Sequence, residues 1–201
     1  FDLYEKLIEM DIPVVFFNGY YPSLSGTYSV CADNQAGGAE LVRHLIERGH
    51  TKIAGFFKSD DIQGHQRYSG FISELFHNGL IIPDENVFWY ITETKEELFN
   101  NPQEVLNRLG DNTAVVCYND EVAFGLIKCL LSAGRRVPED VAVVSFDNSN
   151  LSRISPVTIT SLSYEDRNIG RIAAQKLVDI LNGKEVTSEV LPWTFIQKES
   201  S

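Results

Sequence analysis

Ala114-Val-Val-Cys-Tyr118-Asn-Asp-Glu-Val122-Ala-Phe-Gly-Leu126-Ile-Lys-Cys-Leu130-Leu131 holds both periods of an α/β protein in one stretch. The run from Ala114 to Tyr118 is too short and too rich in β-branched residues for a helix, so it predicts a buried strand. From Val122 onward the apolar positions 122, 123, 126, 127, 130 and 131 follow the 3.6-residue period of a helix. The same alternation runs through the rest of the chain. Pro13–Phe17, Lys52–Phe57, Val87–Ile91 and Val141–Phe146 predict further strands. Ala39, Val42, Leu45 and Ile46 mark one helix face, and Ile169, Ile172, Ala173, Leu177, Ile180 and Leu181 mark another. Gly49, Gly79, Gly134 and Gly183 stand just past helical patterns, where a left-handed C-terminal cap needs no Cβ. Strands alternating with helices predict parallel sheets flanked by helices on both faces. The fold class is α/β.

The chain has 201 residues, 43% of them hydrophobic and 22% charged, which suits a globular protein with a sizeable core and excludes a disordered tail. Lys and Arg number 17 against 28 Asp and Glu, a net charge of −11. Such a surface is repelled by nucleic-acid phosphates, so these residues are not expected to grip DNA or RNA. No apolar run approaches the ~18–20 residues that span a bilayer. Cys31, Cys117 and Cys129 are odd in number with no CxxC spacing, and read as reduced, core-filling residues of a cytoplasmic protein.

Ligands of open parallel sheets bind beyond the carboxyl ends of the strands. Asn18-Gly19-Tyr20-Tyr21 follows the first predicted strand. Lys58-Ser59-Asp60-Asp61 follows the second and leads to Gln63 and Arg67 on a helix. Tyr90 ends its own strand, Asn119-Asp120-Glu121 follows Tyr118, and Asp147-Asn148-Ser149-Asn150 follows Phe146. Carboxylates, amides, one arginine and aromatic rings suit a neutral polyol: carboxylates accept hydroxyl protons, guanidinium donates, and rings cover C–H faces. Asp120 and Glu121 fit helix capping, and the adjacent Asp60 and Asp61 fit turn chemistry. Arg67 has no such local role and is expected to meet ligand rather than core.

Catalytic signatures are missing from the sequence: no GxGxxG after a strand, no GxxxxGK[ST], no HExxH and no GxSxG. His44, His50, His65 and His77 are scattered at no metal-ligand spacing. Arg135-Arg136 follows a helix end, where the macrodipole favours positive charge. No enzyme activity, cofactor or metal is expected.

The ordered motifs resemble one family. Gly134-Arg-Arg-Val-Pro-Glu-Asp-Val-Ala-Val-Val-Ser-Phe-Asp-Asn148 looks like the signature of LacI/GalR-type effector-binding domains. Cys117–Ile127, Gly49–Phe56, the Arg67…Gly70-Phe71 helix and Thr158–Leu181 fit the same template in the same order. Lys58–Ile72 together with Cys117–Glu121 is most similar to the arabinose-responsive bacterial repressors, which join a LacI-type sensor to a GntR-type DNA reader. That resemblance implies a two-lobe periplasmic-binding-protein-like fold with a sugar in the inter-lobe cleft. It implies contacts from Asn18, Arg67, Asn119, Asp147 and Tyr164, beside Gln63 and Tyr90 found at strand ends. Tyr164 stands where many members have Gln. Family effector domains begin with two or three βα units before the strand matching Pro13–Phe17. Residues 1–32 with 164–185 are therefore expected to form a partial N-terminal lobe, and 33–163 with 186–201 a C-terminal lobe. The DNA-binding domain is expected outside this stretch.

The function implied is a sugar-responsive regulator, a repressor sensing L-arabinose or another small neutral sugar, acting as an allosteric homodimer. The wide apolar stripe of Val122–Leu131 is the local reason to expect the dimer. A transporter's sugar-binding protein is the alternative, and an unassigned α/β enzyme a further one. The unpaired cysteines and the Val137–Asn148 segment favour the regulator.

Overall fold

The computed structural model describes residues 2–164 and 168–201. Residue 1 and residues 165–167, the latter inside the Thr158–Leu181 motif, lie outside the described residues. The chain divides into two compact units, which it crosses between three times: 1–33 with 164–192, and 34–163 with 193–201.

In the larger unit six strands line up in the order β4-β3-β5-β6-β7-β9. Here β3 is Ile53–Lys58, β4 Val87–Tyr90, β5 Ala114–Cys117, β6 Ala142–Phe146, β7 Thr160–Ser163 and β9 Thr194–Ile196. The first five are parallel, in register through Phe57↔Trp89, Phe56↔Cys117, Val116↔Val144 and Phe146↔Leu162. Helices cover both faces, so β5 and β6 are buried along their whole length and β3 through Phe57. That double burial is why their sequences are continuous apolar runs. On one face Phe56, Val115, Cys117 and Val143 pack with α4 (Pro102–Leu109) and α5 (Asp120–Ser132). On the other, Phe57 meets Phe71 of α3 (Ile62–His77), which lies against α2 (Asn34–Glu47).

One strand departs from the expected parallel order. The chain re-enters this unit at Trp193 beside the carboxyl end of β7, with Thr194 opposite Ser163, so β9 runs antiparallel to β7. The apolar stripe on α5 also has a different meaning. Leu126, Ile127 and Leu130 are fully buried in the core and only Leu131 is exposed. The sheet and α4 use the stripe, which leaves no wide apolar face to argue for a dimer. The cysteines are all free and buried, and the four cap glycines 49, 79, 134 and 183 have positive φ.

The smaller unit holds a three-stranded parallel sheet, β1-β2-β8, built from Val15–Phe17, Tyr28–Ala32 and Glu189–Leu191. It also holds α1 (Asp2–Glu9) and α7 (Ile169–Leu181), and α7 packs on β1 and β2. Residues 186–192, expected with the other unit, belong here because β8 pairs with β2 through Cys31↔Val190. Tyr4, Phe16 and Tyr21 form a ring cluster with centroids 5.1–5.5 Å apart. No helix of the described residues is long and apolar enough to cross a membrane.

Candidate functional site

In the larger unit the chain passes from β3 outward to β4 and then returns to place β5 on the opposite side of β3. The connections after β3 and β5 leave in opposite directions there. Such a reversal opens the crevice where doubly wound sheets take their ligands.

Two helices are pressed together to reach it. A Cβ on Gly70 of α3 would lie 1.9 Å from the Gln35 carbonyl oxygen, and one on Gly38 of α2 would lie 2.3 Å from that of Arg67. Only glycine permits this backbone-to-backbone crossing. The crossing brings Asn34, at the start of α2, beside Arg67, and both are buried.

Arg67 is 2% exposed. Its Nε donates to Asn34 Oδ1 at 3.0 Å, and its Nη1 donates to the Tyr118 carbonyl. The guanidinium carbon lies 4.2 Å from the Phe146 ring centroid, 4.7 Å from Tyr118 and 5.6 Å from Trp193. Arg67 thus has structural contacts of its own beside the ligand role expected of it. Its Nη2 stands 3.4 Å from Asp147 Oδ1, a long contact, and the Asp147 side chain remains 30% exposed. Asp147 is held at φ 95° and Asn148 at φ 47°, left-handed conformations that cost energy in non-glycine residues.

The strained loop is pinned from three sides. Asp147 N–H donates to the Leu162 carbonyl at 2.8 Å, and Asn148 N–H to Ser161 Oγ at 3.0 Å. Lys198 Nζ donates to Asn148 Oδ1 at 2.7 Å. Asp120, expected to cap α5, instead accepts from Ser149 N–H at 2.6 Å and from Ser161 Oγ at 2.8 Å. Burial raises its pKa above the ordinary aspartate range, against the opposing effect of those hydrogen bonds. The cap of α5 is Asn119, whose Oδ1 accepts from Val122 N–H at 3.1 Å.

A second polar group faces the end of β3. Asp61 caps α3 by accepting from Gly64 N–H at 2.7 Å, and its other oxygen accepts from Tyr118 Oη at 2.6 Å and Lys58 Nζ at 3.0 Å. Gln63 Oε1 is 3.3 Å from the same phenol oxygen. One Asp60 oxygen accepts from Thr92 N–H and Oγ1 at 3.0 and 2.6 Å, tying the β3 and β4 loops together, and the other lies 3.6 Å from Lys58 Nζ. Tyr90 stands edge-on to Tyr118, ring centroids 6.0 Å apart.

The larger unit therefore brings Gln63, Arg67, Tyr90, Asn119 and Asp147 to one end of its sheet. Asn18, at φ 60° just after β1, and Tyr164 belong to the smaller unit. Asn34 and Trp193 join the site with no strand-end signal to mark them. No cluster of three His, Cys, Asp or Glu able to hold a metal occurs among the described residues. His44, His50 and His65 hydrogen-bond Ser201 Oγ, Thr113 Oγ1 and the Ser59 carbonyl respectively.

The family described as periplasmic binding protein-like domain matches residues 42–201. An arabinose metabolism transcriptional repressor from Halalkalibacterium halodurans is 34% identical over 183 residues, covering 89% of this chain and 48% of that protein. The chain thus spans about half the length of that curated relative. A transcriptional regulator CelR–cellobiose complex superposes with a TM-score of 0.89 at 29% identity, over 99% of this chain and 62% of that one. A LacI family transcriptional regulator from Enterococcus faecium with bound ribose gives 0.84 at 26%, over 99% and 74%. These relatives are named as regulators, not enzymes. The chain belongs to the periplasmic binding protein-like domain family, and its fold is that of LacI-type effector domains.

Proposed function

We propose that this chain is the sugar-sensing part of a bacterial transcriptional repressor, and that its effector is a small neutral sugar, L-arabinose before other pentoses. The observation that carries this is the half-exposed Asp147 carboxylate beside a guanidinium already held by Asn34 and the Tyr118 carbonyl. Asp147 offers acceptor positions for hydroxyl protons, while Tyr118, Asp61 and Gln63 offer a second polar group. Two carboxylates and no Gly-rich cradle make the site hostile to a phosphate ester. The 34% identical relative is named for arabinose metabolism, and a structural neighbour binds ribose.

Gln63, Arg67, Tyr90, Asn119 and Asp147 are the ligand contacts of the larger unit in this reading, and Asn18 and Tyr164 are the candidate contacts of the smaller unit by itself. The sugar acts by population shift between conformations of a cytoplasmic homodimer, and DNA is read by a separate domain that this acidic stretch does not supply. The test is calorimetry with L-arabinose, D-ribose, D-xylose, D-glucose and the pentose 5-phosphates. A neutral pentose is expected to bind best, and at 100 times its Kd to add ~2.7 kcal/mol to stability. Tighter binding of a phosphate ester, or no binding of any sugar, overturns the proposal.

A further inference from the structure

The phenol of Tyr90 is 5% exposed, and its oxygen has no hydrogen-bond partner among the described residues. The neighbouring phenol of Tyr118 is, by contrast, fully engaged with Asp61 and Gln63. The backbone around Tyr90 is fixed: Lys58 pairs with it across β3 and β4, and Ser59 N–H donates to its carbonyl at 2.9 Å. Its ring is locked edge-on against Tyr118 and packed in the apolar cluster with Phe56 and Phe88. The hydroxyl therefore cannot swing to solvent to find a partner. Burial, then the nearby Tyr118 and Asp61, raise its pKa, so it stays protonated and is a donor at any physiological pH.

A buried donor without an acceptor is costly, and native proteins keep one where something else completes it. Packing alone does not need this oxygen, because a phenylalanine would fill the same apolar cluster. What lies around it is the polar group at the switch point: Asp61 and Arg67 are among the charges it feels. A ligand hydroxyl that accepts from Tyr90 satisfies that donor and keeps its own O–H to donate to a further acceptor.

We propose that Tyr90 Oη is the hydroxyl-reading donor of the site, making it select sugars that carry one particular ring hydroxyl over the corresponding deoxy sugars. This rests on the sugar-sensing reading above and adds to it a determinant of specificity. A site that hydrogen-bonds a substrate hydroxyl rejects the analogue lacking it, because the protein donor is then left unpaired. Tyr90→Phe removes that donor without changing the packing volume.

The experiment pairs two readouts on the full chain: the thermal midpoint without ligand, and calorimetric Kd values for L-arabinose and its 2-, 3- and 4-deoxy analogues. In the wild type, one deoxy analogue is expected to bind at least ~10-fold more weakly than the parent sugar. In Tyr90→Phe the parent sugar weakens by about that factor while that analogue is unaffected, so the discrimination collapses. The ligand-free midpoint rises, because an unpaired buried hydroxyl has been removed. A merely structural tyrosine would give a lower midpoint and an unchanged discrimination, and that result overturns the proposal. If the wild type binds none of these sugars, the sugar-sensing reading fails and this assignment falls with it. If the wild type binds arabinose and Tyr90→Phe binds it equally well, only the assignment to Tyr90 fails.

Discussion

The carboxylate of Asp120 and the backbone N–H of Ser149 meet at 2.6 Å, with the other carboxylate oxygen 2.8 Å from Ser161 Oγ. This buried acid ties the start of α5 to the loop after β6 and to β7. Desolvation raises its pKa in the folded protein above the ~3.9 of an unfolded aspartate. A raised folded pKa means that the native state holds the proton more tightly. The contribution of Asp120 is therefore full below the unfolded pKa and is lost as pH rises through the folded one. Asp111, Asp140, Asp179 and Glu199 are shifted down and act in the opposite sense, losing their contribution as pH falls. The difference between wild type and Asp120→Asn isolates the buried group. Wild-type stability relative to the variant is expected to decline from pH 4 to pH 7 in urea titrations. A flat or rising difference would refute the assignment.

Gly70→Ala is expected to destabilise the larger unit at the upper end of the ~1–3 kcal/mol that overpacking costs. The added Cβ meets a backbone carbonyl 1.9 Å away rather than a side chain that can turn aside. Relief requires α2 and α3 to separate, which also draws Asn34 from Arg67. Sugar affinity should fall with stability. A midpoint shift below ~0.5 kcal/mol would show that the crossing is slack.

Arg67 and Asp147 should behave differently although they face each other. Arg67→Ala leaves the Asn34 oxygen and the Tyr118 carbonyl without their donor, at ~1–3 kcal/mol each. It should lower stability and sugar affinity together. Asp147→Gly removes a carboxylate engaged only at 3.4 Å and places glycine at φ 95°. It should raise stability by up to ~1 kcal/mol and still abolish sugar binding. Chemical denaturation beside calorimetry decides the matter. Retained affinity in Asp147→Gly would remove Asp147 from the site.

What could be read from the sequence follows from which strands are covered on both faces. The continuous apolar runs of β3, β5 and β6 are legible for that reason. The polar run Thr160–Ser163 is equally buried but hidden, because its hydroxyls are satisfied by Lys198, Asp120 and Asn148 from distant parts of the chain. Short β8 and β9 carry too few residues to show a period. In the candidate site, Gln63, Arg67, Tyr90, Asn119 and Asp147 follow strands and so could be marked in advance. Asn34 is brought in by a glycine crossing, and Trp193 by the chain's return from the other unit. Neither event leaves a local pattern.

That return makes Trp193 a reporter. Its ring lies edge-on to Phe146, centroids 5.5 Å apart, and 5.6 Å from the Arg67 guanidinium, while a Cβ on Gly37 would touch the indole at 2.8 Å. A buried indole fixed this firmly emits according to the charges beside it. Trp89, the other tryptophan, is half-exposed on β4 and packs with Tyr68 and His65. A sugar that binds Asp147 changes the electrostatic surroundings of Arg67 and with them the emission of Trp193. Trp89→Phe should therefore keep the full sugar-induced change in fluorescence, whereas Trp193→Phe should lose it while retaining most of the affinity measured by calorimetry. If the signal follows Trp89 instead, the sugar site is not at Arg67 and Asp147.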